Sequence, residues 1–144
     1  MAVAILRAKL DDHGIAAVVI SGGTLGLRGR RAANFARSAI AEIDDDGKMK
    51  QIIDEHRSQG LSAQMLQRAD DIVAMAPKHV DHIERMAPGI GPRIVRLWEY
   101  ADDDSLRKIP DPVGHDATVF RGCRDLIAAC LDQWIATWGS GADT

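Results

Sequence analysis

An α/β fold built on a parallel sheet is the class predicted for this 144-residue chain. Three observations predict it. Residues 15–20 (IAAVVI) form a continuous apolar run, rich in β-branched residues and of strand length, which suits a strand covered on both faces. Residues 71–75 (DIVAM) and 93–98 (RIVRLW) read as a second and a third strand. Segments of helical periodicity separate them, and that alternation implies a three-layer domain with right-handed crossovers.

The elements follow in order. Residues 2–12 carry an apolar stripe through Ile5, Leu6, Ala8 and Leu10, and His13-Gly14 ends that helix with a glycine suited to the left-handed position. The first strand breaks into the loop Ser21-Gly22-Gly23-Thr24. Residues 32–43 read as a helix stopped by Asp44-Asp45-Asp46-Gly47, whereas 48–55 have no decisive pattern. Ser62 caps a short helix over 62–69, and Pro77 sits in the first turn of a helix reaching Met86. Residues 101–112 form an acidic, proline-containing loop. A long amphipathic helix over 116–138 turns Phe120, Cys123, Ile127, Cys130, Leu131, Trp134 and Trp138 inward. Residues 1–139 thus make one domain, followed by a flexible tail over 140–144 that lacks core-forming residues.

Composition narrows the function. Lys plus Arg is 18 and Asp plus Glu 21, a formal charge of −3, which excludes a general nucleic-acid binder. No apolar run approaches the roughly 20 residues of a membrane span. Two cysteines are too few for a disulfide scaffold and no signal peptide is evident, so a reducing cytoplasm is the expected compartment.

Ligands of parallel sheets sit beyond the carboxyl ends of the strands, which here directs attention to the loops at 21–31, 75–79 and 98–114. Asp111, flanked by Pro110 and Pro112, is rigidly presented and could act as a general acid, although the same pattern makes an ordinary Asx turn. Ser21-Gly22-Gly23-Thr24 could cradle a phosphate, yet it lacks the P-loop lysine and reads more simply as a turn. Arg28, Arg30 and Arg31 read as a solvated loop, with an anionic ligand as the functional alternative. His79 and His82 would need a third ligand to hold a metal, and the acidic runs 44–46 and 102–104 lack a calcium-loop pattern. Cys123 and Cys130 share the inward face of one helix and read as buried structural thiols. No cofactor and no metal are expected.

Taken together, the elements resemble the low-molecular-weight protein tyrosine phosphatase family over most of the chain. Residues 1–7 (MAVAILR) are similar to the start of its first helix, and Ser21-Gly22-Gly23-Thr24 to its Ser-Ala-Gly-Thr segment. His56-Arg57-Ser58-Gln59 resembles its His-x-Ser/Ala-Arg/Gln segment, residues 69–75 with His79 its third strand and next helix, and residues 109–114 (IPDPVG) its general-acid loop. The departures are as informative. The family's nucleophile loop, Cys-x5-Arg ending in Ser-Pro, precedes the first helix, and this chain begins at that helix. The sixth residue after Cys123 is Ala129 and after Cys130 is Ala136, so the motif is not elsewhere in these residues. Val113 stands where many members carry an aromatic, and the stretch 30–53 is longer than usual.

The resemblance implies phosphomonoester hydrolysis through a phosphocysteine, with Asp111 as general acid and Ser21, His56 and Pro112 as supports of the site. Substrates would be a phosphorylated protein or a small aryl phosphate, with neither nucleic acid nor membrane as partner. It further implies an N-terminally truncated member, inactive as this chain. The alternatives are a non-catalytic phosphatase-like interaction module and, more distantly, the arsenate reductase branch. The latter uses cysteines beyond the third strand, and residues 76–116 contain none. Arginine phosphatases share the fold and differ mainly in the nucleophile loop. With the first central strand missing, three strands are expected in one sheet, with an exposed edge, marginal stability and self-association.

Overall fold

The computed structural model of the protein describes residues 1–140. They fall into two compact units, residues 1–60 with 111–128 and residues 61–110 with 129 onward.

The first unit contains α1 (Ala2–Asp12), α2 (Asn34–Glu42), α3 (Lys48–Glu55) and the first half of α6 (Ala117–Ser140). α1 buries Ala4, Ile5, Leu6 and Leu10. Its end is a Schellman motif. Gly14 adopts φ +65°, its N–H donates to Asp11 O at 3.0 Å, and the Ile15 N–H reaches back to Leu10 O at 2.9 Å. α3, undecided from sequence, owes its start to the acidic run before it. The Asp44 carboxylate accepts from the Lys50 N–H at 2.8 Å, and Asp46 accepts from the Lys48 N–H at 3.0 Å. Carboxylates at a helix N-terminus satisfy its orphan donors and oppose its dipole. The solvated acidic loop expected at 44–46 is therefore the cap of a helix.

α2 is tied to α6 twice. Phe35 and Phe120 meet with ring centroids 5.7 Å apart. Arg124 is a buried cation. Its Nη1 donates to Ala39 O at 2.8 Å and to Glu42 Oε2 at 2.9 Å. Ala39 C=O is one of the last four carbonyls of α2, which no residue of the helix can satisfy. Arg121 also donates to both Glu42 oxygens, at 3.0 Å. These guanidinium bonds, Arg121 first and Arg124 next, hold the Glu42 carboxyl below its usual range.

The expected first strand does not form. Residues 15–20 form no regular element and belong to no sheet, and Val18 is 92% exposed. A strand exists only where a neighbouring backbone takes its hydrogen bonds, and no such neighbour lies among the described residues. A side chain substitutes at one point, where the Arg7 guanidinium donates to Val19 O. The described sheet has two strands rather than the three expected.

That sheet lies in the second unit. β1 (Ile72–Ala74) and β2 (Ile94–Arg96) pair in parallel, Ile72 opposite Ile94 and Ala74 opposite Arg96, with α5 (Pro77–Met86) between them in sequence. Pro77 opens α5, and the Ser62 hydroxyl caps α4 (Ala63–Arg68) by accepting from the Met65 N–H at 3.1 Å. Short 3-10 turns at Gly91–Arg93 and Leu97–Tyr100 trim β2 at both ends. Beyond β1, the Ile109 N–H donates to Met75 O at 2.7 Å. Cys130, Leu131, Trp134 and Ile135 of α6 are buried. Trp138, expected on the inward face, is instead 36% exposed and meets Trp134 edge-on, the ring centroids 4.8 Å apart. The expected tail lies outside the described residues apart from Ser140.

The α2–α6 tie makes a comparative prediction. Arg124→Ala leaves the buried Ala39 carbonyl unsatisfied and should cost about 1–3 kcal/mol, read as a lower denaturant midpoint at unchanged m-value. Arg121→Ala, at the exposed end of the same carboxylate, should cost distinctly less. Equal losses would mean that the carbonyl cap is not what Arg124 supplies.

Candidate active site

Asp111 enters the structure through two local constraints. Pro112 fixes the backbone after it, and Gly114 at φ +85° reverses the chain before α6. One carboxylate oxygen of Asp111 accepts from the Val113 N–H at 3.0 Å, which is the Asx turn foreseen as the plain reading of this loop. The carboxylate is exposed, and its second oxygen has no hydrogen bond among the described residues. Two residues past the turn, Asp116 caps α6 by accepting from the Val119 N–H at 3.1 Å. Turn and cap together place the Asp111 carboxyl just ahead of a well-anchored helix. Its charge reaches Cys123, one face of that helix further on: burial, and after it the Asp111 carboxylate, push the Cys123 thiol up.

Ser21 and His56 come together elsewhere in the same unit. Both line one cavity of about 380 Å³, with Arg7, Glu55, Arg57 and Gln59 around them. The loops carrying them are cross-linked by hydrogen bonds. The Gln59 side-chain amide donates to Ser21 O at 2.7 Å, and the Gly23 N–H donates to Gln59 O at 2.8 Å. Gly23 and Gly60 form a parallel bridge there. The Gly23 N–H is therefore engaged by protein, and the loop is a turn rather than a phosphate cradle. His56 is pushed below its ordinary pKa by burial first, then by the chain's amino group, Arg7 and Arg57. A partly buried imidazole among cations favours its neutral form, with one ring nitrogen a donor and the other an acceptor.

Asp111 and Pro112 do not line that cavity. Arg7 and Gln59 are the residues that sequence reasoning passed over. Arg7 stands one helical turn past Val3, which also lines the cavity, and that spacing is the signal that could have found it. A second cavity, of about 330 Å³ and bordered by Trp98, Asp103, Asp104 and Arg107, belongs to the acidic loop of the second unit. Asp103 is engaged there by Ser105, whose N–H donates to it at 2.9 Å. Among the described residues no three His, Cys, Asp or Glu side chains converge to hold a metal ion.

Known proteins resemble this chain in sequence and in fold. The family model "low molecular weight phosphotyrosine protein phosphatase" matches residues 1–141. A probable low molecular weight protein-tyrosine-phosphatase, EpsP of Ralstonia nicotianae, is 31% identical over 135 residues, covering 94% of this chain and 83% of its own length. The low molecular weight protein-tyrosine-phosphatase Ptp of Acinetobacter johnsonii is 29% identical over 114 residues, 79% of this chain and 73% of its own. Among solved structures, the low molecular weight protein tyrosine phosphatase of T. tengcongensis superposes with a TM-score of 0.82 at 23% identity, covering 94% of this chain and 88% of that one. The match to the family model runs from Met1 almost to the last residue, and the chain belongs to the low molecular weight phosphotyrosine protein phosphatase family.

Proposed function

We propose that this chain carries the proton-transfer half of a phosphomonoesterase site, with Asp111 as the general acid. The observation that carries the reading is the Asp111 turn: a carboxylate between two prolines, one oxygen held by the Val113 N–H and the other open. In the family's reaction a thiolate attacks phosphorus and the ester P–O bond breaks. Asp111 would give its proton to the departing phenolate oxygen, then take one from the water that cleaves the phosphocysteine. Ser21 and His56, in their shared cavity, are assigned as supports of the site, and Pro112 as the brace of the acid loop. The substrate would be a phosphorylated protein or a small aryl phosphate. Cytoplasmic residence belongs to the same proposal, because thiolate chemistry of this kind operates in a reducing compartment.

The 144 residues contain no Cys-x5-Arg. That observation favours a second reading for the chain as it stands, a phosphatase-like module that binds without turnover. The absence of cysteine between residues 76 and 116 speaks against the arsenate reductase branch. Self-association is part of the proposal too. Residues 15–20 are apolar and belong to no sheet, Val18 is exposed, and backbone groups there can pair with those of another copy.

Four outcomes follow. The 144-residue chain should hydrolyse p-nitrophenyl phosphate no faster than a buffer blank. Turnover above the blank that Asp111→Asn abolishes would refute this. In a chimera carrying a family Cys-x5-Arg loop ahead of Met1, the same substitution should slow release of the phenol by roughly 10²- to 10⁴-fold, and indifference would remove Asp111 as the acid. Acidity should destabilise the fold through His56. Its folded pKa lies below the ordinary 6.5, so the unfolded chain binds the extra proton and stability is lost as pH falls through that value. Urea midpoints taken from about pH 7.5 to about pH 5.5 should slope less in His56→Gln, and identical slopes would place the imidazole in an unperturbed setting. Finally, Val18→Lys should reduce the concentration dependence of the sedimentation coefficient. If the wild-type chain sediments as a monomer at all concentrations, the edge does not pair.

A further inference from the structure

The basic loop after Thr24 is used by neither the acid turn nor the Ser21–His56 cavity. The structure fastens it to the segment after α3. The Gly29 N–H donates to Ser58 O at 2.8 Å, the Ser58 N–H to Arg30 O at 2.8 Å, and the Arg30 N–H to the Ser58 hydroxyl at 3.0 Å. Arg31 and Arg57 stand directly opposite in an antiparallel bridge. Like charges at such a pair are unfavourable, so this arrangement costs stability unless an anion lies across it. Arg28, Arg30, Arg31 and Arg57 are all exposed. The Arg57 guanidinium turns to the carbonyls of Asp54 and His56, while those of Arg28, Arg30 and Arg31 have no hydrogen bond or ion pair among the described residues. Asp54, which feels the charge of Arg31, is already bonded to Lys50 at 2.6 Å. A rigid cationic platform thus stands on a protein whose net charge is −3.

Its composition selects among anions. Leu25, 82% exposed, and Leu27 stand exposed beside the arginines. Residues 22–31 and 57–60 contain no aromatic on which a base could stack, and the chain as a whole is acidic. Exposed guanidinium groups spread along two loops do not form the convergent cradle that a free phosphate ion needs. Exposed leucines followed by a run of exposed arginines complement a peptide that carries both apolar and acidic side chains.

We infer that the Arg28–Arg31 loop with Arg57 is a docking surface for an acidic, leucine-containing segment of a partner protein. It deepens the phosphoprotein reading and rests on it for the identity of the partner, which would be the stretch flanking the phosphorylated residue.

The test needs no phosphate and no turnover, so its failure leaves the Asp111 assignment untouched. Fluorescence anisotropy of the full chain would be measured with a short labelled peptide alternating Glu and Leu, its Gln-for-Glu twin, and an oligothymidylate of similar length. The acidic peptide should bind, the twin should not, and high ionic strength should weaken binding by about tenfold or more. The double variant Arg30→Glu, Arg31→Glu should weaken it by at least about tenfold. Arg28→Glu, outside the bridged residues, should weaken it in the same direction, which keeps the test valid if the double variant unfolds. Lys78→Glu, a charge reversal of equal size in the other unit, should have no effect. Equal binding of the twin, absence of binding, or loss in Lys78→Glu to the same degree would overturn the inference. Tighter, Arg30-dependent binding of the oligothymidylate would replace it with a nucleic-acid surface.

Discussion

Backbone carbonyls that no helix or strand can satisfy set the terms for this molecule. Its parallel ladder is three residues long on each strand, and its helices are mostly short. Short elements have a high proportion of terminal groups, and each buried one must find a donor. At the buried Ala39 carbonyl the donor is a long side chain, and long side chains also reach carbonyls at more exposed positions. Arg124 caps Ala39, Arg7 reaches Val19, Gln59 reaches Ser21, and Arg93 reaches Gln67 at 3.2 Å. Each of these bonds joins segments distant in sequence, so the same interactions that satisfy the backbone also fix the loops. Arg124 does most, since its single guanidinium closes a helix end and partly neutralises Glu42, a carboxylate placed unfavourably at that end.

The candidate site inherits this economy of parts. The Ser21 loop is held in place by the Gln59 side chain, which donates to Ser21 O, and by its own Gly23 N–H, which donates to Gln59 O in the segment carrying His56. That is why the two residues share a cavity without a hydrogen bond of their own. The acid turn is held differently, by proline stiffness, one Asx bond and the Asp116 cap of α6. Each is a local device, so the Asp111 carboxyl keeps its geometry independently of the loops around Ser21. A proton donor that must meet a leaving group gains from such presentation, because orientation is set before the substrate arrives.

The same distinction between local and distant constraints separates what could be read in the sequence from what could not. Gly14, Ser62, Pro77 and the stripe of the last helix each act within a turn or two, and all were legible. α3 was not, because its apolar face is narrow and its start depends on side chains of Asp44 and Asp46 folding back onto its N–H groups. Residues 15–20 have a strand's composition and no strand's partner. β-propensity describes a surface fit to be paired, and whether it is paired depends on chain far away in sequence. Trp138 kept the spacing of the buried face but is 36% exposed. Around the candidate site, the prolines marked the Asp111 turn locally, whereas the shared cavity of Ser21 and His56 joins segments that only the order of family motifs related. Arg7 and Gln59 act through backbone carbonyls, so helical spacing or a place in a family segment could point to them but not to the groups they bind.

The cysteines complete the chemical argument. A thiol nucleophile needs its thiolate near neutral pH, which cationic neighbours or a helix N-terminus provide. Cys123 and Cys130 have the opposite setting. Both are buried on one helix, and burial raises each thiol, with the carboxylates of Asp111 and Asp102 respectively pushing in the same direction. Proximity to Asp111 thus works against Cys123 rather than pairing with it: an acid that raises a neighbouring thiol cannot also activate it. Neither Cys123 nor Cys130 therefore has the setting of a thiol nucleophile.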